Sequence, residues 1–364
     1  MAWSPQQEAA IKAVRTWLKD PRQQVFRLFG YAGTGKTTLA KTLADDVRGQ
    51  VLYGAFTGKA ALVLRRKGCA GASTIHSMIY QPDEEAEGWE PRFILNPFSA
   101  VSDAKLVVID ECSMVGEELA RDLLSFKTKV LVLGDPAQLP PVKDAGYFTN
   151  AQPDAMLTEV HRQAQDNPII RMSMTVRTGG ALERGSYGES QVISSRDLHP
   201  DQVLGADQVL VGRNATRQRY NARIRQLLGR NDVKPVAGDK LVCLRNNKNK
   251  KLLNGGLWQV AKVVKAEGLG VRMDVTSEDH PENKPTRVFV RNEFFDGTDD
   301  VLTWEDKKRT DEFTYGYALT VHKSQGSQWD DVMVFDESST FREDRARWLY
   351  TAITRAAEKV TVVQ

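Results

Sequence analysis

The chain has 364 residues, 41% of them hydrophobic and 27% charged, with a formal net charge of +3. This length predicts two or three globular domains, and no apolar run approaches the roughly 20 residues that a membrane span requires. The charge excess is too small to bind nucleic acid by itself, so phosphate binding depends on where individual lysines and arginines lie. The three cysteines, Cys69, Cys112 and Cys243, lack metal-ligand spacing and indicate structural thiols in a reducing compartment.

The N-terminal segment predicts an amphipathic helix and no signal peptide. A short buried strand, Val25–Phe29, and a helix, Leu39–Val47, then flank the stretch GYAGTGKTT, which matches the phosphate-binding pattern G-x-x-x-x-G-K-[ST]. Its glycines let successive backbone N–H groups converge, and the following helix adds its positive dipole end. We predict a nucleoside triphosphate site in which Lys36 reaches the β- and γ-phosphates and Thr37 ligates Mg²⁺. The predicted cofactor-contacting residues of this loop are Gly30, Ala32, Gly33, Thr34, Gly35, Lys36, Thr37 and Thr38.

Two further apolar strands end at polar residues. LVVIDE ends at Asp110 and Glu111, which supply a carboxylate to hold Mg²⁺ and a neighbour to orient the attacking water. VLVLGDPAQLPPV carries Gln138 to the end of its strand, where the amide could sense the γ-phosphate. On this segment alone, a proline-stiffened loop that caps the strand explains the sequence equally well.

Buried strands alternating with helices predict an α/β fold with parallel sheets. Residues 81–103 interrupt this pattern, and a second α/β pattern begins near Leu157. Short strands after about Pro235 suggest a small β-barrel inserted in the second domain. The predicted division is 1–150 for the first domain, 151–235 plus 313–364 for the second, and 236–312 for the insertion.

Eight segments then carry a family resemblance. They are GYAGTGKTT, TGKAALVLRRKG, STIHSMIY, VVIDECSMV, GDPAQLPPV, LTEVHRQ, ALTVHKSQGSQWDDVMV and YTAITRA, in this order. Together they resemble the motif series of superfamily 1 helicases, on the branch with RecD-like and phage Dda-like enzymes. The resemblance implies two RecA-like domains that bind ATP and Mg²⁺ between them and drive 5′→3′ movement on single-stranded DNA.

The resemblance also implies roles for matching residues. Gln7 would read adenine, although Ser4 and Pro5 also fit an ordinary helix start. Arg162 and Arg355 would reach the γ-phosphate from the second domain, and Gly326 would contact the nucleotide. The implied nucleic-acid contacts are Thr57, Gly58, Lys59, Thr74, His76, Thr320, His322 and Ser324. Hydroxyl, imidazole and backbone donors suit phosphates and sugars, which makes binding independent of sequence.

Two accessory segments extend the resemblance. Residues 81–103 lie where the family carries a strand-separating pin, and Trp89, Phe93 and Phe98 could stack on bases or anchor the loop to its own domain. Residues 236–312 resemble an SH3-like barrel. Its lysines and arginine could clamp the strand or face solvent; they are Arg245, Lys248, Lys250 and Lys251.

The leading hypothesis is an ATP-dependent DNA helicase that acts on single-stranded and on forked or tailed duplex DNA. A single-strand-binding protein or replication and recombination proteins are possible partners. We expect no membrane association and a cytoplasmic location in a bacterium or phage-infected cell. One alternative is an ATPase that remodels protein–DNA or RNA complexes without processive unwinding. A kinase or GTPase is disfavoured because the guanine signature N-K-x-D does not occur.

Overall fold

The computed structural model describes residues 3–83, 93–140, 146–159, 166–247 and 249–364. Within these ranges, the helices are all too short or too polar to span a lipid bilayer. The described strands form three main sheets and one small hairpin.

The first sheet has six parallel strands in the order β3-β2-β6-β7-β1-β8. Its strands are β1 (Val25–Gly30), β2 (Val51–Ala55), β3 (Ser73–Thr74), β6 (Leu106–Asp110), β7 (Val130–Gly134) and β8 (Ala155–Leu157). The hairpin pairs β4 (Tyr80–Pro82) with β5 (Phe93–Leu95). The helices of this first α/β unit are α1 (Pro5–Trp17), α2 (Lys36–Asp45), α3 (Gly58–Arg66), α4 (Ile75–Ile79) and α5 (Glu117–Ser125). Helices cover both faces of the sheet, as a parallel sheet requires.

Strand β7 illustrates how this unit is packed. Leu131 and Leu133 join a core cluster with α1 and α2, whereas Val130 and Val132 join the cluster with α4 and α5. Successive side chains of a strand point to opposite faces, so a continuous apolar run buries both faces at once. The carboxyl ends of β1, β6 and β7 therefore meet at one edge of a rigid, doubly covered sheet.

The second sheet has the strand order β17-β11-β18-β19-β10-β9 and is parallel except for the β9–β10 pair. Its strands are β9 (Gly185–Tyr187), β10 (Ser190–Ile193), β11 (Gln208–Val211), β17 (Ala318–Thr320), β18 (Trp329–Phe335) and β19 (Ala356–Val363). The helices of this second α/β unit are α6 (Pro168–Arg177), α7 (Pro200–Gly205), α8 (Asn214–Leu227), α11 (Val321–Ser324) and α12 (Arg345–Ile353). Short 3₁₀ turns occur at Cys112–Met114, Ser195–Asp197, Asp299–Val301 and Ser338–Asp344.

The inserted sheet is antiparallel, with five strands in the order β15-β14-β13-β12-β16. Its strands are β12 (Lys240–Cys243), β13 (Leu257–Glu267), β14 (Gly270–Ser277), β15 (Thr286–Arg291) and β16 (Phe313–Tyr315), and two short helices, α9 (Glu293–Asp296) and α10 (Trp304–Lys308), connect the last two. Phe313, Trp258 and Val271 are buried in a core of its own. The Asp311 N–H donates to the Phe289 carbonyl at 2.7 Å, which ties β15 to the segment before β16.

The structure moves two sequence-based boundaries. Strand β8, at Ala155–Leu157, pairs with β1, so the first sheet extends past residue 150. Strand β16, at Phe313–Tyr315, pairs with β12, so the inserted sheet extends past residue 312. Local sequence pattern locates strands, but it cannot say which sheet a strand joins. The predictions for Trp89, Arg162 and Lys248 lie outside the described residues.

Candidate nucleotide site and nucleic-acid interface

The phosphate-binding loop connects β1 to α2 and has the backbone that its glycines predict. Gly33 and Gly35 both have a φ of 77°, in the left-handed region that glycine adopts without steric cost. A Cβ atom added to Gly30 would lie 2.7 Å from Thr34 Oγ1 and 2.8 Å from Leu157 Cβ. The loop is therefore a tight concavity that larger residues at these positions would distort.

Lys36, the first residue of α2, folds back over the loop. Its Nζ donates to the carbonyls of Gly30 at 2.5 Å and Tyr31 at 3.0 Å. The Thr34 hydroxyl donates to the same Tyr31 carbonyl at 2.8 Å. The ammonium group is thus held over the concavity, where an anionic ligand would meet it.

Thr37 and Asp110 bring α2 and the end of β6 together. The Thr37 hydroxyl donates to Asp110 Oδ2 at 3.0 Å. Burial raises the pKa of Asp110, and the neighbouring Glu111 carboxylate raises it further. A cation would relieve this unfavourable concentration of negative charge, and hydroxyl and carboxylate oxygens are the ligands that Mg²⁺ prefers. Among the described residues, no group of three or more His, Cys, Asp or Glu could hold a metal ion.

Gln138 faces the same space. Its backbone N–H donates to the Asp135 carbonyl at 3.1 Å. Its side-chain Oε1 is buried and has no hydrogen-bond partner. A buried amide oxygen without a donor costs free energy, and a water or nucleotide hydroxyl in the cavity would satisfy it.

Residues of the second α/β unit form the other wall. Arg355, which follows α12, is 5% exposed, and its Nε donates to the Thr351 carbonyl at 3.1 Å. Its other hydrogen bonds reach the Ser327 carbonyl and the Thr354 hydroxyl, at 3.4 Å and 3.3 Å. Because these acceptors are all neutral, the guanidinium charge is available to an anion in the cavity. A Cβ atom added to Gly326 would lie 2.9 Å from Ala60 Cβ, so glycine permits the close approach of the two units.

These residues enclose one cavity of about 490 Å³. The residues predicted from the sequence that line it are Ala32, Gly33, Thr34, Gly35, Lys36, Thr37, Thr38, Asp110, Glu111, Gln138, Gly326 and Arg355. Gly30 packs closely against Thr34 of the loop, and Gln7 is buried next to the loop. Gln7 closes a capping box with Ser4 and donates from Nε2 to the Thr34 carbonyl at 3.1 Å. The structure thus places Gln7 against the loop, and adenine reading stays a prediction.

The predicted nucleic-acid contacts occupy equivalent turns in the two α/β units. Thr74 and Thr320 each cap a short helix, accepting from the Ser77 N–H at 3.1 Å and the Lys323 N–H at 3.4 Å. Thr57 caps α3 in the same way, at 3.2 Å from the Ala60 N–H. Such caps leave neighbouring backbone donors at a helix start, where phosphates bind. These contacts stay predictions.

The two predicted histidines lie one residue into those helices. Burial lowers the pKa of both His76 and His322, which favours the neutral form of each imidazole. His76 contacts the ring of Tyr80, with centroids 5.5 Å apart. Ser324 is fully buried, and its hydroxyl donates to the Val321 carbonyl at 2.8 Å.

Lys59 has a partner that the sequence did not reveal. Its ammonium forms an ion pair with Asp279, between β14 and β15, and both side chains are 11% exposed. Beside this contact, a groove of about 930 Å³ runs between the first α/β unit and the inserted sheet. Its lining includes Gly58, Thr74, Lys250, Lys251, Lys284 and Arg287. Phe98 projects from the first unit with 90% of its surface exposed.

Several contacts across the nucleotide cleft were not apparent from the sequence. Tyr350 bonds to Ala32 and Asp135 of the first unit. The Arg177 guanidinium stacks on the Tyr31 ring, 3.4 Å from its centroid. Tyr350 lies within the quoted segment YTAITRA, which was a signal for it, whereas no motif marked Arg177.

Comparisons with known proteins agree with this geometry. Residues 2–197 match the AAA domain family, and residues 315–363 match the UvrD-like helicase C-terminal domain. The chain is 30% identical to the ATP-dependent RecD2 DNA helicase of Deinococcus radiodurans over 91% of its own length and 46% of that protein's. It therefore spans less than half of that curated relative.

Solved structures share the fold. A Pif1 helicase structure that concerns unwinding at forked duplex DNA aligns with a TM-score of 0.60 at 18% identity, covering 99% of this chain and 92% of that one. Bacteroides Pif1 in complex with ADP-AlF3 and single-stranded DNA aligns with a TM-score of 0.59 at the same identity and coverage. The two α/β units thus have the RecA-like fold. The AAA domain match covers more than half of the chain, which therefore belongs to that family, and the UvrD-like and RecD2 matches agree with the resemblance to RecD-like superfamily 1 helicases.

Proposed function

We propose that the protein is an ATP-dependent DNA helicase that moves 5′→3′ along single-stranded DNA and unwinds duplex DNA. One observation carries the proposal: Lys36, Asp110 and Glu111 of one α/β unit and Arg355 of the other line a single cavity. Hydrolysis in a cavity between two units requires them to approach each other, so each turnover can shift one unit relative to the other. The polarity rests on the resemblance to the RecD-like branch of superfamily 1 helicases.

Each group of cavity residues has its own proposed role in ATP hydrolysis. Lys36 and the loop N–H groups would hold the β- and γ-phosphates, and Thr37 with Asp110 would hold Mg²⁺. When bound, Mg²⁺ supplies positive charge that neutralises the phosphate oxygens. Glu111 would orient the attacking water and accept its proton at a carboxylate oxygen. Arg355 would stabilise charge on the transferred phosphoryl group, a contribution of about 10³- to 10⁵-fold in rate. Arg162 is proposed as a second such arginine, and Gln7 as the group that reads adenine.

The proposed path of the strand follows the helix-capping turns of both units. Thr57, Gly58, Lys59, Thr74 and His76 would contact it on the first unit, and Thr320, His322 and Ser324 on the second. Lysines of the groove beside the inserted sheet would neutralise further phosphates. We propose that this sheet is the SH3-like barrel of the branch and that the β4–β5 hairpin, with Phe98 nearby, separates strands.

The proposed domain division follows the three sheets. The first domain extends through β8, the insertion extends from β12 through β16, and the strands of the second sheet with their helices form the second domain. Forked or tailed duplex DNA and a single-strand-binding protein are the proposed partners. Since ATP and DNA must both be present, the cytoplasm of a bacterium or of a phage-infected cell is the proposed location.

The test is ATP hydrolysis with and without single-stranded DNA, together with unwinding of duplexes that carry a 5′ or a 3′ tail. DNA stimulation with unwinding only from the 5′ tail is expected. Unwinding from the 3′ tail would contradict the polarity, and stimulation without strand displacement would favour the remodelling ATPase. Hydrolysis that no nucleic acid stimulates would overturn the helicase proposal.

A further inference from the structure

Tyr350 belongs to α12 of the second α/β unit, yet its hydroxyl group is bonded to the first unit on both sides. It accepts a hydrogen bond from the Ala32 N–H of the phosphate-binding loop at 2.9 Å. It donates a second one to Asp135 Oδ2 at 2.6 Å. The side chain is 1% exposed, so water does not compete for either bond.

Asp135 needs that donor. Its side chain follows β7, is 2% exposed, and forms none of the ion pairs found among the described residues. Its Oδ1 accepts from the Ala137 N–H at 3.0 Å, which leaves the Tyr350 hydroxyl as the donor to Oδ2. A buried carboxylate without donors is strongly disfavoured, and a hydrogen bond to a charged group is stronger than one between neutral groups.

The same face of the second unit holds the segment that carries Gln138. The Thr351 hydroxyl, next to Tyr350, accepts from the Leu139 N–H at 2.9 Å. Gln325 donates from Nε2 to the Leu139 carbonyl at 2.9 Å. The second unit thus contacts both the phosphate-binding loop and the loop after β7, which together form much of the cavity wall.

We propose that Tyr350 is a positioning residue for ATP hydrolysis. When the two α/β units approach each other, its hydroxyl group holds the phosphate-binding loop and Asp135 in place. This inference rests on the proposed function. Tyr350 does not line the cavity and acts through Ala32 and Asp135. When the units separate, water can solvate Asp135. When they approach, the Tyr350 hydroxyl replaces that water, so the closed arrangement carries no unpaired carboxylate.

Tyr350→Phe removes this hydroxyl and keeps the ring. The substitution removes a hydrogen bond only from the arrangement in which the two units approach each other. We therefore expect kcat for ATP hydrolysis to fall about tenfold or more. The dissociation constant of a fluorescent ADP analogue should change less than threefold, because Lys36 and the loop N–H groups remain. Tyr220→Phe is the matched control: it removes a hydroxyl from a half-buried tyrosine of the same unit, whose ring lies 4.3 Å from that of Phe335. We expect it to leave kcat unchanged.

A double-mutant cycle with Asp135→Asn separates positioning from general stability. If the hydroxyl acts on Asp135, the effects on kcat of Tyr350→Phe and Asp135→Asn are not additive. A kcat for Tyr350→Phe within twofold of the parent would overturn the proposal. So would additive effects, or a loss of kcat matched by an equal loss of ADP affinity.

Hydrolysis without DNA is measured on the same proteins and distinguishes the two proposals. If DNA fails to stimulate the parent, the helicase proposal falls, while basal kcat still tests Tyr350. If the parent is stimulated and Tyr350→Phe behaves like it, only the positioning role falls. A parent that does not hydrolyse ATP would overturn both.

Discussion

The ion pair between Lys59 and Asp279 gives the sharpest prediction for strand binding. Both side chains are 11% exposed, and Arg66 Nη1 lies 3.7 Å from the same carboxylate. Asp279→Asn keeps the shape of this side chain and removes its charge. Lys59, beside the groove of about 930 Å³, would then be free to bind a phosphate.

The expected change can be worked out from counterion release. Each phosphate neutralised on a single strand contributes about 0.7 to the slope of log affinity against log salt. One additional contact therefore steepens the slope by about 0.7, so that raising the salt from about 50 to about 200 mM costs an extra factor of about 2.6. The free energy of unfolding should fall by about 1–3 kcal/mol, because a hydrogen bond between charged groups is lost.

The assay is fluorescence anisotropy of a labelled oligo(dT) across that salt range. Asp331→Asn is the matched control, because it breaks an ion pair with Lys359 at 2.9 Å, in the second sheet and outside the groove lining. The steepening must also disappear when Lys59→Ala is combined with Asp279→Asn. An unchanged slope in Asp279→Asn, or a steepening that persists without Lys59, would refute the reasoning.

Three more outcomes follow from the site. Lys36→Ala should abolish ATP turnover and leave strand binding within about twofold; turnover near the parent rate would contradict the phosphate site. Arg355→Ala should still bind a fluorescent ATP analogue but hydrolyse ATP about 10³-fold more slowly, and normal turnover would exclude its contact with the γ-phosphate. Burial lowers the pKa of His76, so the unfolded state binds its proton first as the pH falls through about 6.5, and stability declines there. His76→Gln should reduce the decline in melting temperature between about pH 7 and pH 5.5; an equal decline would count against this assignment.

The helices and strands whose formation depends on neighbouring residues could be predicted from the sequence. The predicted strand Val25–Phe29 is observed at Val25–Gly30, and the helix predicted at Leu39–Val47 is observed at Lys36–Asp45. The RecA-like fold and family membership are likewise confirmed. The motif order identified the family because each segment places its polar residues at the end of a buried strand, and parallel strands bring those ends to one edge.

Contacts between distant segments could not be predicted in this way. Tyr350 and Asp135 are 215 positions apart, and Lys59 and Asp279 are 220 apart. Nothing in either local sequence specifies its partner, because the pairing depends on how the units pack. For the same reason, the sequence-based boundary at residue 150 excluded β8 from the first domain. The pairing of its three residues with β1 depends on the folded chain and not on the local sequence.

The position of β19 has a consequence for the order in which the protein can fold during synthesis. Strand β19, Ala356–Val363, lies inside the second sheet and pairs with both β18 and β10. The first sheet is complete once Leu157 has left the ribosome, whereas the second stays divided until Val363 has emerged. The half of the nucleotide cavity that carries Lys36 can therefore fold before the half that carries Arg355 has been synthesised.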